Sequence, residues 1–383
     1  MIPLFRGLFS FVDGERANVI SFFRKRRREK MEKSTQRLQQ ALQDVVERYH
    51  AAGYFPDAAV RVFDREKTLA VCCAGSAKAD DLFDVASLTK IATATQIFHL
   101  IQREKIRLED EIGAYFPEIS DDGYLSRRFA GVTVYRLLTH TSTLAAWYPF
   151  YSRLGEEFFS VLQYALKHTQ PTEGVVYSDL NFMLLGKLLE KIQEKPLARC
   201  LREDLAEPLR LGKMTYHPAA EESVIPSCYG NPIEERMCAE RGISFDGFRP
   251  QGVPVRGTVN DGNSHYYFGD EAGHAGIFAT AEAYERLCRY YMNTQDELLQ
   301  SAQREQKAAP GRGMGFQTGM TYPHGCGHTG FTGTAIFFSR AYNVGVVSFT
   351  NRLYFPQGNG HDLSEFRRAL HEAMFALCAQ SPR

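Results

Sequence analysis

The chain has 383 residues, 45 Lys plus Arg against 45 Asp plus Glu, and a hydrophobic content of 44%. Such a chain can bury a sizeable core in one large or two interlocked domains, and its balanced charge offers no field to draw in nucleic acid or an acidic partner. Its eight cysteines, without a C-x-x-C pair, read as reduced and mostly buried thiols of a cytoplasmic protein.

In chain order, the first thirty residues place the apolar Ile2, Leu4, Phe5, Leu8, Phe9, Phe11 and Val12 ahead of the basic run Arg24-Lys25-Arg26-Arg27-Arg28. A secretory signal has the opposite order, and no run reaches the roughly 18 apolar residues of a membrane span. Residues 1–30 therefore read as a basic N-terminal extension, either frayed or in weak contact with an anionic membrane surface. Met31 is a second candidate start.

Beyond it, Leu38, Leu42, Val45, Val46 and Tyr49 recur at helical spacing and predict a packing helix ending near Gly53 and Pro56. Residues 58–63 and 68–73 are β-prone runs around the polar turn Asp64-Arg65-Glu66-Lys67, hence a hairpin. From Ser87 to about Ile106 the pattern is helical, with Ile91, Thr95, Ile97, Phe98 and Ile101 toward a core. Further helices are expected at 133–140, 156–168, 180–193 and 197–205. Residues 216–272, rich in Gly, Pro and Asn, read as long surface loops. Residues 333–339 and 343–350 make a second hairpin, and 362–378 a closing helix. Strands at both ends with helices between them predict an α/β (α+β) fold, one antiparallel sheet flanked by helices. Its sheet region spans about 31–82 plus 270–383, and a helical and loop region over about 83–269 is inserted.

Chemistry concentrates at Ser87-Leu88-Thr89-Lys90. One helical turn puts Ser87 and Lys90 on the same face, and a serine, weak as a nucleophile at neutral pH, needs such a neighbour to take or displace its proton. Two further segments keep it company: Tyr177-Ser178-Asp179 at the head of a helix, and His328-Thr329-Gly330 opening a strand. The order FDVASLTK, LLTHTSTL, YSDLNFMLLG, AGHAGIFAT, GHTGFTGT, FTNR resembles the serine β-lactamase-related family of class C β-lactamases, DD-peptidases and esterases, from about residue 55 to the C-terminus.

The resemblance implies a β-lactamase and penicillin-binding-protein-like catalytic domain, residues 31–383, that forms an acyl-enzyme without metal or organic cofactor. It implies Ser87 as nucleophile, Lys90 as its partner and Tyr177 as proton shuttle, with the oxyanion held by the backbone N–H groups of Ser87 and Phe331. Asp179, His328, Thr329, Gly330 and His274 are the implied substrate contacts. Tyr177 can act as a base only if a nearby positive charge stabilises its phenolate, and Lys90 is the obvious source. His274 otherwise holds its glycine-rich loop, Asp261 and Asn263 form turns, and His140 caps or packs the LLTHTS segment.

Two positions depart from the family pattern. Asp179 stands where asparagine is common, and an ionised carboxylate accepts but does not donate; beside Lys90 it should also keep that lysine charged. His328 stands where lysine is common, and a mostly neutral imidazole attracts a substrate carboxylate less than an ammonium does. The loop Thr139-His140-Thr141-Ser142-Thr143 also has threonine where the family commonly has glycine, which bears on loop shape. The expected activity is that of an esterase or amide hydrolase acting on a small-molecule ester, amide or peptide, with poor β-lactam turnover. The alternatives are a DD-carboxypeptidase or β-lactamase acting on cell-wall peptides, and an acylation-competent sensor or scaffold without turnover. His324-Gly325-Cys326-Gly327-His328 puts three ligand-type side chains on one strand face, but no fourth ligand can be named, and a strand edge is the expected role.

Overall fold

The computed structural model describes residues 35–356 and 360–378; the N-terminal extension expected over 1–30 lies outside them. Helix α1 (35–51) leads into β1 (Ala58–Phe63) and β2 (Thr68–Ala74), the expected hairpin. The chain returns to this sheet only at its far end, in β6 (Cys326–Thr329), β7 (Ala335–Ser339) and β8 (Val344–Thr350). The five strands run β2-β1-β8-β7-β6, every neighbouring pair antiparallel.

The two-residue period of β1 divides the interior in two. Ala58, Val60 and Val62 pack with Leu38, Leu42 and Val46 of α1 and with Phe366, Leu370 and Met374 of the closing helix, Ser364–Cys378. Ala59 and Phe63 face the opposite core, which holds the inserted helices. Arg61 shares that second face and its Nε lies 2.6 Å from Glu285, a buried carboxylate also held by Arg289 at 2.8 Å. A lone charge there would be costly; two guanidinium partners and the Thr68 hydroxyl, 2.7 Å away, satisfy it.

Between the two halves of the sheet lies the helical region. Its centre is α2 (Thr89–Gln102), entered through a 3-10 turn at Ala86–Leu88 and buried on nearly every side from Thr89 to Phe98. A helix enclosed all round has no polar stripe, which is why α2 shows little amphipathic period. Against it packs α4 (Asp179–Gln193), and the fold's further helices include α3 (Phe158–Lys167), α5 (Pro232–Ala239) and α6 (Ala281–Asn293), whose Tyr291 hydroxyl meets Thr95 of α2 at 2.8 Å. A small second sheet, β3 (Phe83–Asp84), β5 (Phe278–Ala279) and β4 (Met214–Thr215) in that order, ties the chain just before α2 to the return toward the main sheet.

Two expectations need correcting. Residues 133–140 and 197–205 form only short helices, Val134–Leu138 and Leu197–Cys200, the latter running into a wider π-type turn at Leu201–Ala206. The 216–272 segment is not simply surface loop. It contains α5, and Tyr216, Asn231, Asn260, Asn263 and Ser264 are buried. Polar side chains there stand in for a backbone ladder: Asn263 accepts from Phe150 N at 2.7 Å and donates to Tyr148 O at 2.9 Å, while Asn231 donates to Asn260 O at 2.9 Å. Such side-chain bonds satisfy buried backbone without leaving a hydrophobic period.

Candidate active site

Four separate chain segments meet at the N-terminal end of α2. Ser87 lies in the 3-10 turn and Lys90 one turn on, fully buried, its Nζ 3.0 Å from Ser87 Oγ. The turn is held from both sides. Ala86 adopts φ +47, an unfavourable region for a residue with a Cβ, and Asp84 Oδ1 accepts its N–H at 2.8 Å. Burial pushes the Asp84 carboxyl up to about 6, against the opposing pull of the Asn260 and Ala86 N–H groups.

The second segment supplies Asp179, the first residue of α4, whose Oδ1 lies 2.7 Å from Lys90 Nζ. The third supplies a backbone oxygen, His274 O, 3.1 Å from the same nitrogen. Lys90 therefore points its three N–H bonds at a hydroxyl, a carboxylate and a carbonyl, the full set an ammonium ion can donate to. Burial pulls the Lys90 ammonium down, and the Asp179 carboxylate in contact with it leads the groups that more than reverse this, so its pKa stands above the ordinary lysine value. The expectation that a carboxylate here keeps Lys90 charged agrees with this geometry.

Tyr177 stands over the lysine with its ring centroid 4.8 Å from Nζ; its hydroxyl is buried and has no hydrogen-bond partner among the described residues. Burial pushes its pKa up, Lys90 pulls it down, and the balance leaves it above an ordinary tyrosine. Burial thus favours the neutral, protonated phenol of Tyr177, and the Asp179 carboxylate favours the ammonium form of Lys90. His140 secures this corner, accepting a hydrogen bond from Ser178 N at 3.0 Å with its ring 4.7 Å from that of Tyr177.

The fourth segment is the β6–β7 turn. Thr332 Oγ1 donates to Asp84 O at 2.8 Å and Thr334 Oγ1 to Val85 O at 2.9 Å, so the turn is bolted to the two residues leading into the Ser87 turn. Gly330 makes that approach possible: a Cβ there would lie 2.1 Å from Thr334 Oγ1 and 2.6 Å from Val85 O. Phe331, 43% exposed, follows directly at the mouth of the site. Its N–H and that of Ser87 are thus carried by two segments clamped together.

His328 is 1% exposed, and its ring stands 5.8 Å from that of Tyr177. Nδ1 lies 2.8 Å from Thr329 O, an acceptor, so Nδ1 carries the proton and the buried Nε2, without a partner among the described residues, presents a lone pair. Burial, then Lys90 and Arg312, bring its pKa down to about 3, which makes it neutral as the sequence predicts. His274 needs correction as a substrate contact. It is 1% exposed, its Nε2 lies 2.9 Å from Asp261 Oδ1, and it meets the site through its backbone oxygen. Asp261 also accepts from Ser264 N at 2.8 Å, the turn-forming role expected of it.

Arg312 was not anticipated. Its guanidinium carbon stands 5.2 Å from the Tyr177 ring centroid, and its buried Nη1 has no partner among the described residues. The clustered glycines 311, 313 and 315 around it are a signal of close backbone approach that could have marked this loop. No ligand set forms at 324–328: His324 sits at φ +53 in the turn before β6, off the strand face shared by Cys326 and His328. Among the described residues no cluster of three or more His, Cys, Asp or Glu gathers around a point, and no helix is long and apolar enough to cross a membrane.

The model of the Beta-lactamase family matches residues 42–367. An N-acetylmuramyl-L-alanine amidase of Bacillus subtilis (strain 168) is 28% identical over 312 residues, 73% of this chain and 70% of that protein. A putative D-alanyl-D-alanine carboxypeptidase of Salmonella agona (strain SL483) is 24% identical over 314 residues, 74% of this chain and 72% of that protein. Among solved structures, EstCE1, a hydrolase with promiscuous acyltransferase activity, superposes with a TM-score of 0.66 at 17% identity, covering 88% of this chain and 99% of its own.

Proposed function

From the premise that this chain belongs to the Beta-lactamase family and is a serine hydrolase, we propose that it cleaves esters or amides of small acyl or peptide substrates through a covalent acyl-enzyme on Ser87. The observation that carries this reading is the Ser87–Lys90 contact of 3.0 Å beneath the unpartnered Tyr177 hydroxyl. Ser87 Oγ attacks the carbonyl carbon, its proton passes through the Lys90–Tyr177 pair to the leaving group, and water then releases the acid. The N–H groups of Ser87 and Phe331 receive the negative charge that develops on the carbonyl oxygen. Thr329, half-buried beside the same turn, lies where it can hydrogen-bond the substrate.

Intact mass and released chromophore are the test, for wild type and Ser87→Ala with a p-nitrophenyl ester and with a penicillin. Ester turnover in the wild type alone supports the proposal. A lasting adduct without turnover points to the sensor reading, and faster hydrolysis of the β-lactam than of the ester overturns the substrate preference.

Arg312 favours a second reading. With His328 neutral, its guanidinium is the cation that a carboxylate on the leaving-group side would meet, as a carboxypeptidase-type substrate requires. Arg312→Gln is then expected to raise KM about ten- to hundredfold for an acylated dipeptide with a free C-terminal carboxylate. The same peptide as its C-terminal amide should respond by a much smaller factor, and equal responses would remove Arg312 from substrate recognition.

A further inference from the structure

The contacts of Lys90 point to a function for Asp179 other than binding substrate. We propose that Asp179 is a positioning residue that holds Lys90 as an ammonium ion and thereby confines rapid acylation of Ser87 to alkaline pH; the proposal rests on the Ser87 hydrolase reading above.

The geometry leaves little alternative use for the Asp179 oxygen nearest the site. Oδ1 is taken by Lys90 at 2.7 Å, and the backbone N–H of Asp179 is held by Ala146 O at 2.8 Å, so the residue is oriented before any substrate arrives. Its place at the first position of α4 suits a carboxylate, because the free N–H groups and dipole of a helix N-terminus favour negative charge. Lys90, donating to Ser87 Oγ, Asp179 and His274 O, has no lone pair with which to accept the Ser87 proton. The neighbouring Tyr177 hydroxyl, buried and without a partner among the described residues, is held toward its neutral, protonated form by burial. The resting pair therefore holds one proton too many. It must release one to water before the Oγ–carbon bond can form; the Ser87 proton then fills the vacated position and moves on to the leaving group as the carbon–leaving-group bond breaks.

The remaining groups around Lys90 do not supply this control. From the loop before β5 come the His274 carbonyl and, behind it, Asp261, which is bonded to His274 Nε2. Glu234 of α5, pushed up to about 8 by burial and by Asp261, accepts from Gly262 N at 2.7 Å. From β6 comes His328 and from the segment after Val134–Leu138 comes His140, both kept neutral by burial and by the cations Lys90 and Arg312. Arg312 itself stands against the Tyr177 ring, its guanidinium carbon 5.2 Å from the centroid. Asp179 is the carboxylate in direct contact with the ammonium, and an opposite charge within about 4–6 Å typically moves a pKa by one to three units.

The pH dependence of p-nitrophenyl acetate hydrolysis by the full chain is the test, because the acetyl group carries no amide for residue 179 to contact. In Asp179→Asn the ratio of kcat/KM at pH 7 to that at pH 9 should rise about tenfold or more, and Asp179→Glu should keep the wild-type ratio. An unchanged ratio in Asp179→Asn, whether activity is kept or lost at both pH values, overturns the proposal. Asp179→Ser takes the place of the Asn variant if that one fails to melt cooperatively. Should the acetate not be turned over at all, the hydrolase reading fails separately. The same ratio is then read from the rate at which a fluorophosphonate adds to Ser87 by intact mass, with Ser87→Ala as the blank.

Discussion

Replacing Lys90 by Met should reduce ester turnover by about 10³-fold or more while leaving the melting temperature within about 4 °C of wild type. Loss of activity follows from the contact list of a single atom. Lys90 Nζ is bonded to the nucleophile at 3.0 Å and to the carboxylate of Asp179 at 2.7 Å, and no other cation lies as close to Ser87 Oγ among the described residues. Stability should survive for an electrostatic reason. Removing one partner of a buried ion pair usually costs about 3–5 kcal/mol, since the other charge is stranded, and a hydrophobic replacement removes a desolvation cost of several kcal/mol. Here the stranded partner is not deeply trapped. The Asp179 side chain is 18% exposed, against 0% for Lys90, and it keeps the N-terminus of α4. Steady-state kinetics and a thermal melt on the same sample decide the matter. Less than a tenfold loss of turnover would mean that another group takes the Ser87 proton, and a collapse in melting temperature would make Lys90 a structural residue.

Gly330→Ala should have the next largest effect, lowering kcat about 10²- to 10³-fold and costing about 1–3 kcal/mol of stability. The added Cβ would lie 2.1 Å from Thr334 Oγ1 and 2.6 Å from Val85 O, and the second of these is backbone that cannot swing away. The β6–β7 turn must therefore retreat, weakening the bonds of Thr334 to Val85 O and of Thr332 to Asp84 O and carrying Phe331 away from Ser87. Since the proposed oxyanion donors sit one on each side of this joint, a shift of a few tenths of an ångström reaches the transition state more strongly than substrate binding. The expected signature is a fall in kcat with KM little changed. A fall confined to KM would place the Phe331 N–H outside the reaction.

Much of this architecture is legible along the chain. Residues 58–63 and 68–74 are strands as their β-branched runs require, and 35–51 is helical as its apolar stripe requires. The i, i+3 spacing of Ser87 and Lys90 places them on one face of one turn, whereas His328-Thr329-Gly330, expected to open a strand, instead closes β6 (Cys326–Thr329). The 216–272 segment carries no apolar period to find, because Asn231 and Asn263 bury themselves by hydrogen-bonding backbone.

What the sequence determined by itself is whatever depends on neighbours within a turn or a strand: the helices and hairpins, the antiparallel sheet closed by both ends of the chain, and the pairing of nucleophile with lysine. The tautomer of His328, the burial of His274 behind its own carbonyl and the presence of Arg312 over Tyr177 were decided only by the tertiary structure. Each depends on burial and on charges brought within a few ångströms from remote segments, and the energy of a charge is set by its surroundings in space, which no local spacing records.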